Sequence, residues 1–171
     1  MNGDVPKFYG KYRGTVTNNI DPMQMGRIQA IVPDVALTPL TWAMPCVPIA
    51  GLQSGVFMVP MIGSGVWMEF EHGDPDFPIW VGGWFGSTAD VPALALATTP
   101  GLQAIVMQTT GQNTLMISDM PGPTGGIMLK GTTGAMILIN EIGITISNGQ
   151  GATITMTGPS VVINEGALAI T

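Results

Sequence analysis

Four carboxylates, Glu69, Glu71, Asp74 and Asp76, crowd into eight positions around the only histidine, His72. Paired carboxylates are the material of general acid–base catalysis and of hard-cation sites. With the lone Cys46, His72 would also supply half of a thiol nucleophile or a transition-metal site. Neither chemistry develops further along the chain. Alternation places Glu69 and Glu71 on one exposed strand face, and Asp74-Pro75-Asp76 is turn chemistry. One His and one Cys without paired spacing make no metal signature. No second histidine completes a Ser–His–Asp set, and no GxSxG motif occurs. The reading is therefore no catalytic residue, no cofactor and no metal.

The aromatic set Trp42, Phe57, Trp67, Phe70, Trp80 and Trp84 could stack single-stranded bases. Such a surface needs a basic groove, but the net charge is −6. Four of the five basic residues, Lys7, Lys11, Arg13 and Arg27, lie in the first 27 positions. The aromatics then serve a core or a subunit contact, with no nucleic acid as partner. The four basic residues form a collar suited to an acidic partner. Charged residues are only 9% of the chain, a poverty that goes with surface hidden in an oligomer. Cys46 alone excludes an intramolecular disulfide. Met1-Asn2-Gly3-Asp4 starts no signal peptide, so cytoplasmic synthesis is expected.

The elements that would hold any site are set by a repeat from Gly126 to Thr171. Apolar residues recur in pairs two apart: Ile127/Leu129, Ile137/Ile139, Ile144/Ile146, Ile154/Met156, Val161/Ile163 and Leu168/Ile170. Each pair is followed by a polar or charged residue: Lys130, Asn140, Ser147, Thr157, Asn164 and Thr171. The steps between pairs are 10, 7, 10, 7 and 7 residues, close to an octad. Period-two alternation turns one strand face to apolar neighbours and the other to water. Glycine allows the sharp corners between strands. Strands this short cannot bury an apolar face alone and must stack. One chain still leaves a thin sheet with a bare apolar face. The expected partner is the same chain repeated about a threefold axis, as a triangular β-prism. The first five pairs, Ile127 to Ile163, are its expected core. A β-sandwich half or an adhesive tail would use similar strands, but the regularity favours a solenoid.

Residues 1–8 read as a polar tail and residues 9–86 as a small closed barrel. Its strand-like runs are Tyr12–Thr17, Met25–Val32, a proline-broken edge Trp42–Ile49, Gly55–Pro60, Gly65–Glu71 and Phe77–Trp84. Short strands at this spacing suit the OB barrel. Residues 87–101 are a linker without period. Residues 102–123 carry looser copies of the repeat, Ile105/Met107 and Leu115/Ile117, and 124–171 the regular prism. No amphipathic helix is expected, and the chain is all-β.

Several stretches, taken in this order, resemble one family, the central spike of contractile injection machines (baseplate assembly protein V or Vgr-type spike). They are Gly14-Thr15-Val16, Asp21-Pro22 through Gly26-Arg27-Ile28, Trp42 to Pro45, Gly63 to Glu71, Gly73-Asp74-Pro75 and Pro78 to Gly82. Downstream, Gly111 to Gly122 resembles the family's passage from barrel to prism. The resemblance implies an OB-fold barrel followed by an intertwined trimeric β-helix. It implies a homotrimeric, non-enzymatic spike on the baseplate hub, under the inner tube, that helps pierce the target membrane. Lys7, Lys11, Arg13 and Arg27 become the expected hub contacts. Some relatives end in a His-x-His apex that binds iron, which this chain lacks. Leu168 and Ile170 are instead expected to meet a separate conical, PAAR-like tip protein. The barrel starts at once, so the hub is expected to be a separate chain, which favours a phage tail or phage-like extracellular particle over a secretion spike. The rival readings are an OB-fold nucleic-acid or carbohydrate binding module with an oligomerising β-solenoid tail, and a cell-wall hydrolase fragment.

Overall fold

Alternation sets the first strand. In β1 (Tyr12–Asn18), Gly14 and Val16 point inward while Arg13 and Thr15 face out. The other strands of the first half are β2 (Gln29–Ile31), β3 (Met44–Pro45), β4 (Ala50–Gly51), β5 (Ser54–Gly55), β6 (Gly65–Phe70) and β7 (Pro78–Trp84). The computed structural model describes residues 6–170, and side chains as far as Leu168. Contacts divide the chain into two units, 1–88 and 89–171.

In the first unit a five-stranded sheet runs in the order β2-β1-β6-β7-β3. All its pairings are antiparallel except β3 with β7, where Met44 and Pro45 register with Ile79 and Trp80. An isolated bridge between Ile28 and Ala43 joins the two edges through hydrogen bonds of 3.2 and 2.7 Å. The sheet thus curls back on itself in OB fashion, which removes the free edges that invite aggregation. Its interior holds Val16, Ile28, Val32, Val66 and Met68, all fully buried, with Trp80 beside them. Burial of each such side chain contributes about 1.5–3 kcal/mol. The Trp80 indole N–H donates to the Gly26 carbonyl at 3.1 Å, so the buried ring leaves no donor unpaired.

The second unit opens with a one-turn helix, α1 (Ala93–Leu96). Eight strands follow: β8 (Ala104–Gln108), β9 (Thr114–Ser118), β10 (Gly126–Lys130), β11 (Met136–Ile139), β12 (Ile144–Ser147), β13 (Thr153–Thr157), β14 (Ser160–Ile163) and β15 (Leu168–Ile170). They form one antiparallel meander in sequence order. At the usual spacing, eight strands span about 34 Å across the sheet.

The structure departs from the sequence expectations at several points. Phe8, placed in a polar tail, packs against the barrel core beside Tyr12 and Phe70, and its amide bonds the Gly73 carbonyl at 2.8 Å. The stretch expected as a strand at 55–60 is irregular beyond Gly55, because β3 already completes the barrel beside β7. The linker carries a 3-10 turn at Thr88–Asp90 as well as α1. Pro92 fixes the entry to a run of strong helix formers, Ala93 to Leu96. Within one chain the repeat pairs as a meander of hairpins. Strands β9 to β14 each pair on both sides with their own sequence neighbours. Connections as short as the two residues between β13 and β14 fold back as hairpins and cannot cross to another face.

Candidate assembly interface

The meander aligns the sequence pairs into two unbroken ladders. One runs Ile105, Ile117, Ile127, Ile139, Ile144, Met156, Val161 and on to position 170; the other runs Met107, Leu115, Leu129, Ile137, Ile146, Ile154, Ile163 and Leu168. Directly opposite residues in such pairs sit about 4.5–5.5 Å apart at Cβ, so each ladder is a continuous apolar stripe. All ten residues expected in the trimer core lie on these ladders. The face they make is open: Ile127 is 45% exposed, Leu129 49% and Ile146 38%. On the opposite face the residue between each pair is sheltered where it is large, with Met128 only 8% exposed. In the following strands that position is Leu138, Thr145, Thr155 and Val162, all half-buried. A contiguous apolar face of this size on one chain marks a surface for association. Leu168, expected from the sequence to meet a tip protein, is 54% exposed on edge strand β15, whereas the Ile170 side chain lies outside the described residues.

Both rims of the sheet are laced by side chains. The Asn113 amide oxygen accepts the Thr132 N–H at 3.2 Å, and the Thr132 hydroxyl donates to the Gly111 carbonyl. On the other rim Asn140 donates to the Pro123 carbonyl at 3.2 Å, and the Gly122 N–H donates to the Glu141 carboxylate at 2.9 Å. Turns that follow alternate strands are thereby tied to each other along both rims.

The basic residues of the barrel are engaged within their own chain. Lys7 pairs with Asp74 at 3.0 Å, and Lys11 with Glu69. The Arg13 guanidinium sits over Trp84 and Trp67, 5.1 and 5.5 Å from the ring centroids. Lys7 and Lys11 keep exposed ammonium groups, whereas Arg27 is turned inward to Asp21. The acidic cluster is dispersed in the same way: Glu69 and Asp74 answer lysines, and Asp74 also accepts the Asp76 N–H. The Lys7 ammonium, then the Asp76 amide, hold the Asp74 carboxyl below its usual range. Among the described residues no three His, Cys, Asp or Glu side chains converge as a metal site.

Asp21 is the organising polar residue that the sequence reading passed over, although it opens the Asp21-Pro22 to Ile28 stretch. Its carboxylate accepts the N–H groups of Met23, Met25 and Arg27 and two further bonds from the Arg27 guanidinium, at 3.0 and 2.6 Å. The Arg27 bond is the main cause that drives the Asp21 carboxyl far below the normal carboxylate range, and the backbone donors add to it. A lowered folded-state value means stability that is complete above the unfolded carboxylate value of about 3.9 and lost as pH falls through the lower folded one. Asp21→Asn should therefore lower the barrel's thermal midpoint by several degrees at pH 7. The gap between variant and parent should narrow only below about pH 4, in a calorimetric pH series. A gap that stays constant down to pH 2 would contradict this role.

Comparison with known families bears on both units. Residues 104–169 match the phage baseplate V C-terminal trimerisation domain, and residues 12–85 match the type VI secretion system/phage-baseplate injector OB domain. The chain belongs to the phage baseplate V family. No curated protein matches it as a relative. As a baseplate V protein it is a homotrimeric baseplate component, and both ladders, position 170 apart, lie in the stretch matched as its trimerisation domain. The OB-domain match falls in the first unit and the trimerisation-domain match in the second.

Proposed function

We propose that three copies of this chain form the central spike under the inner tube of a contractile injection particle, a phage tail or a phage-like extracellular device. The ladders of the three sheets close on one another as a triangular prism, with Thr, Ser, Asn and Lys130 outward. The barrels join the baseplate hub, where exposed Lys7 and Lys11 would exchange their Asp74 and Glu69 partners for acidic groups of the hub. Strand β15 has one unpaired edge and, with Leu168, offers a flat apolar seat to a separate conical tip protein. The spike works by mechanics: contraction pushes a stiff rod through the target membrane, without catalysis, cofactor or nucleic-acid binding. The observation that carries the reading is the pair of apolar ladders left open in one chain. A family match to an injector OB domain supports the position at the baseplate.

The reading is tested on purified particles. Gold label directed to an epitope tag inserted in the exposed Gly149-Gln150-Gly151 turn should fall on the particle axis beyond the baseplate. Label scattered along the sheath, or particles that lack the chain, would overturn it.

A further inference from the structure

We propose that the three barrels of the trimer also pack on one another, through an uncharged surface built by two loops at one end of the barrel. The proposal rests on the trimer and adds to it a second subunit contact, in the OB unit. The register of β1 with β6, Tyr12 to Met68 and Thr15 to Gly65, puts the loops 19–28 and 56–64 at one end. The same register puts the Glu71 to Phe77 turn at the other. The two loops are fastened together. The Asn19 side chain donates to the Pro60 carbonyl at 3.0 Å, and the 56–64 loop is anchored to β1 where the Gly63 N–H donates to the Val16 carbonyl at 2.8 Å. Gly26, at φ 78°, lies so near the Phe57 ring that a Cβ there would stand 3.2 Å from it. The joined loops present Ile20, Met23, Phe57, Met58, Met61 and Ile62, with Ile20 77% and Phe57 70% exposed.

This surface has the composition of an interface centre and not of a solvated end. No Asp, Glu, Lys, Arg or His occurs between Asp34 and Glu69. The charges of the neighbouring loop, Asp21 and Arg27, are spent on each other. Interface cores are depleted in charge and enriched in aromatic residues and Met. Flexible Met side chains adapt to a seam where identical surfaces must fit around a threefold axis. The occupant follows from tethering. Only residues 85–103 separate β7 from β8, each extending at most about 3.6 Å. A trimerised prism therefore holds the three barrels at about millimolar effective concentration. A copy of the same surface is then always within reach.

The test uses the full-length protein carrying Cys46→Ser, with one cysteine introduced as Met58→Cys or, at the opposite end, Glu71→Cys. After a short thiol-to-thiol crosslinker, Met58→Cys should give a chain-dimer band at least tenfold stronger than Glu71→Cys at low micromolar protein. Phe57→Asp combined with Met61→Asp should abolish that band while light scattering still reports a trimer. Equal bands from the two cysteines in an intact trimer would overturn the proposal, and would leave the surface for a different protein. A monomer mass for the Cys46→Ser parent would instead remove the trimer on which the proposal rests.

Discussion

Ile146→Asp should leave the protein monomeric. In the single chain Ile146 stands on the open face of β12, opposite Ile137 and Ile154, so one folded chain can expose an aspartate there to water. Closing three faces on one axis would bury three carboxylates with no cationic partner on either ladder. Each costs several kcal/mol in desolvation, and their mutual repulsion adds to it. That exceeds what the loss of one isoleucine contact would do, about 1.5–3 kcal/mol per chain. Light scattering should report the mass of one chain, with a barrel whose near-ultraviolet signal is unchanged. Ile154→Asp, on the same ladder, should behave alike. A soluble, intact trimer from either variant would mean that the ladders do not face an axis.

The second large effect is expected at a glycine. Gly143 enters β12 at φ 154°, and a Cβ there would lie 1.9 Å from the Met156 carbonyl oxygen of the adjacent strand. That atom is backbone and cannot swing aside, so Gly143→Ala must push β12 and β13 apart at the Ile144–Met156 pair. The backbone strain alone costs about 1–3 kcal/mol, and broken ladder bonds add to it in every chain of the trimer. Gly158 provides the contrast: at φ 55° nothing lies within 4 Å of its Cβ position. Asparagine tolerates that conformation, so Gly158→Asn should leave thermal stability within about 1 kcal/mol of the parent. In differential scanning calorimetry Gly143→Ala should lower the transition of the sheet by ten degrees or more. Equal behaviour of the two variants would contradict the pairing described for β12 and β13.

What was legible in the sequence was whatever strict periodicity encodes. The six pairs from Ile127 to Ile170, and the looser Ile105/Met107 and Leu115/Ile117, name all eight strands of the second sheet and the face that they share. Pairing order was less legible. An octad-like step fits both a chain that winds about an axis and one that folds back in hairpins, and only the backbone shows the hairpins. In the barrel, the strands Tyr12–Thr17 and Gly65–Glu71 were clear because alternation sets them. The run from Gly55 to Pro60 has equal strand propensity but no neighbour left to pair with, a tertiary fact that no local pattern carries. Phe8 was missed for a related reason, since one aromatic in a polar stretch shows no period. The sequence shows the charge of the basic collar but not the partners it has within its own chain. The folded chain sets Asp74, Glu69 and Asp21 against three of those four residues, and sets Trp84 and Trp67 against the fourth.

The measurement that bears most directly on a spike of three closed sheets is the solution mass by light scattering, before and after mild SDS without boiling. A mass of about three times the 17.8 kDa chain, surviving SDS, is the predicted result, because a prism closed along both ladders exposes no lateral edge for detergent to open. A 17.8 kDa monomer in plain buffer would leave both ladders bare in water and contradict the account.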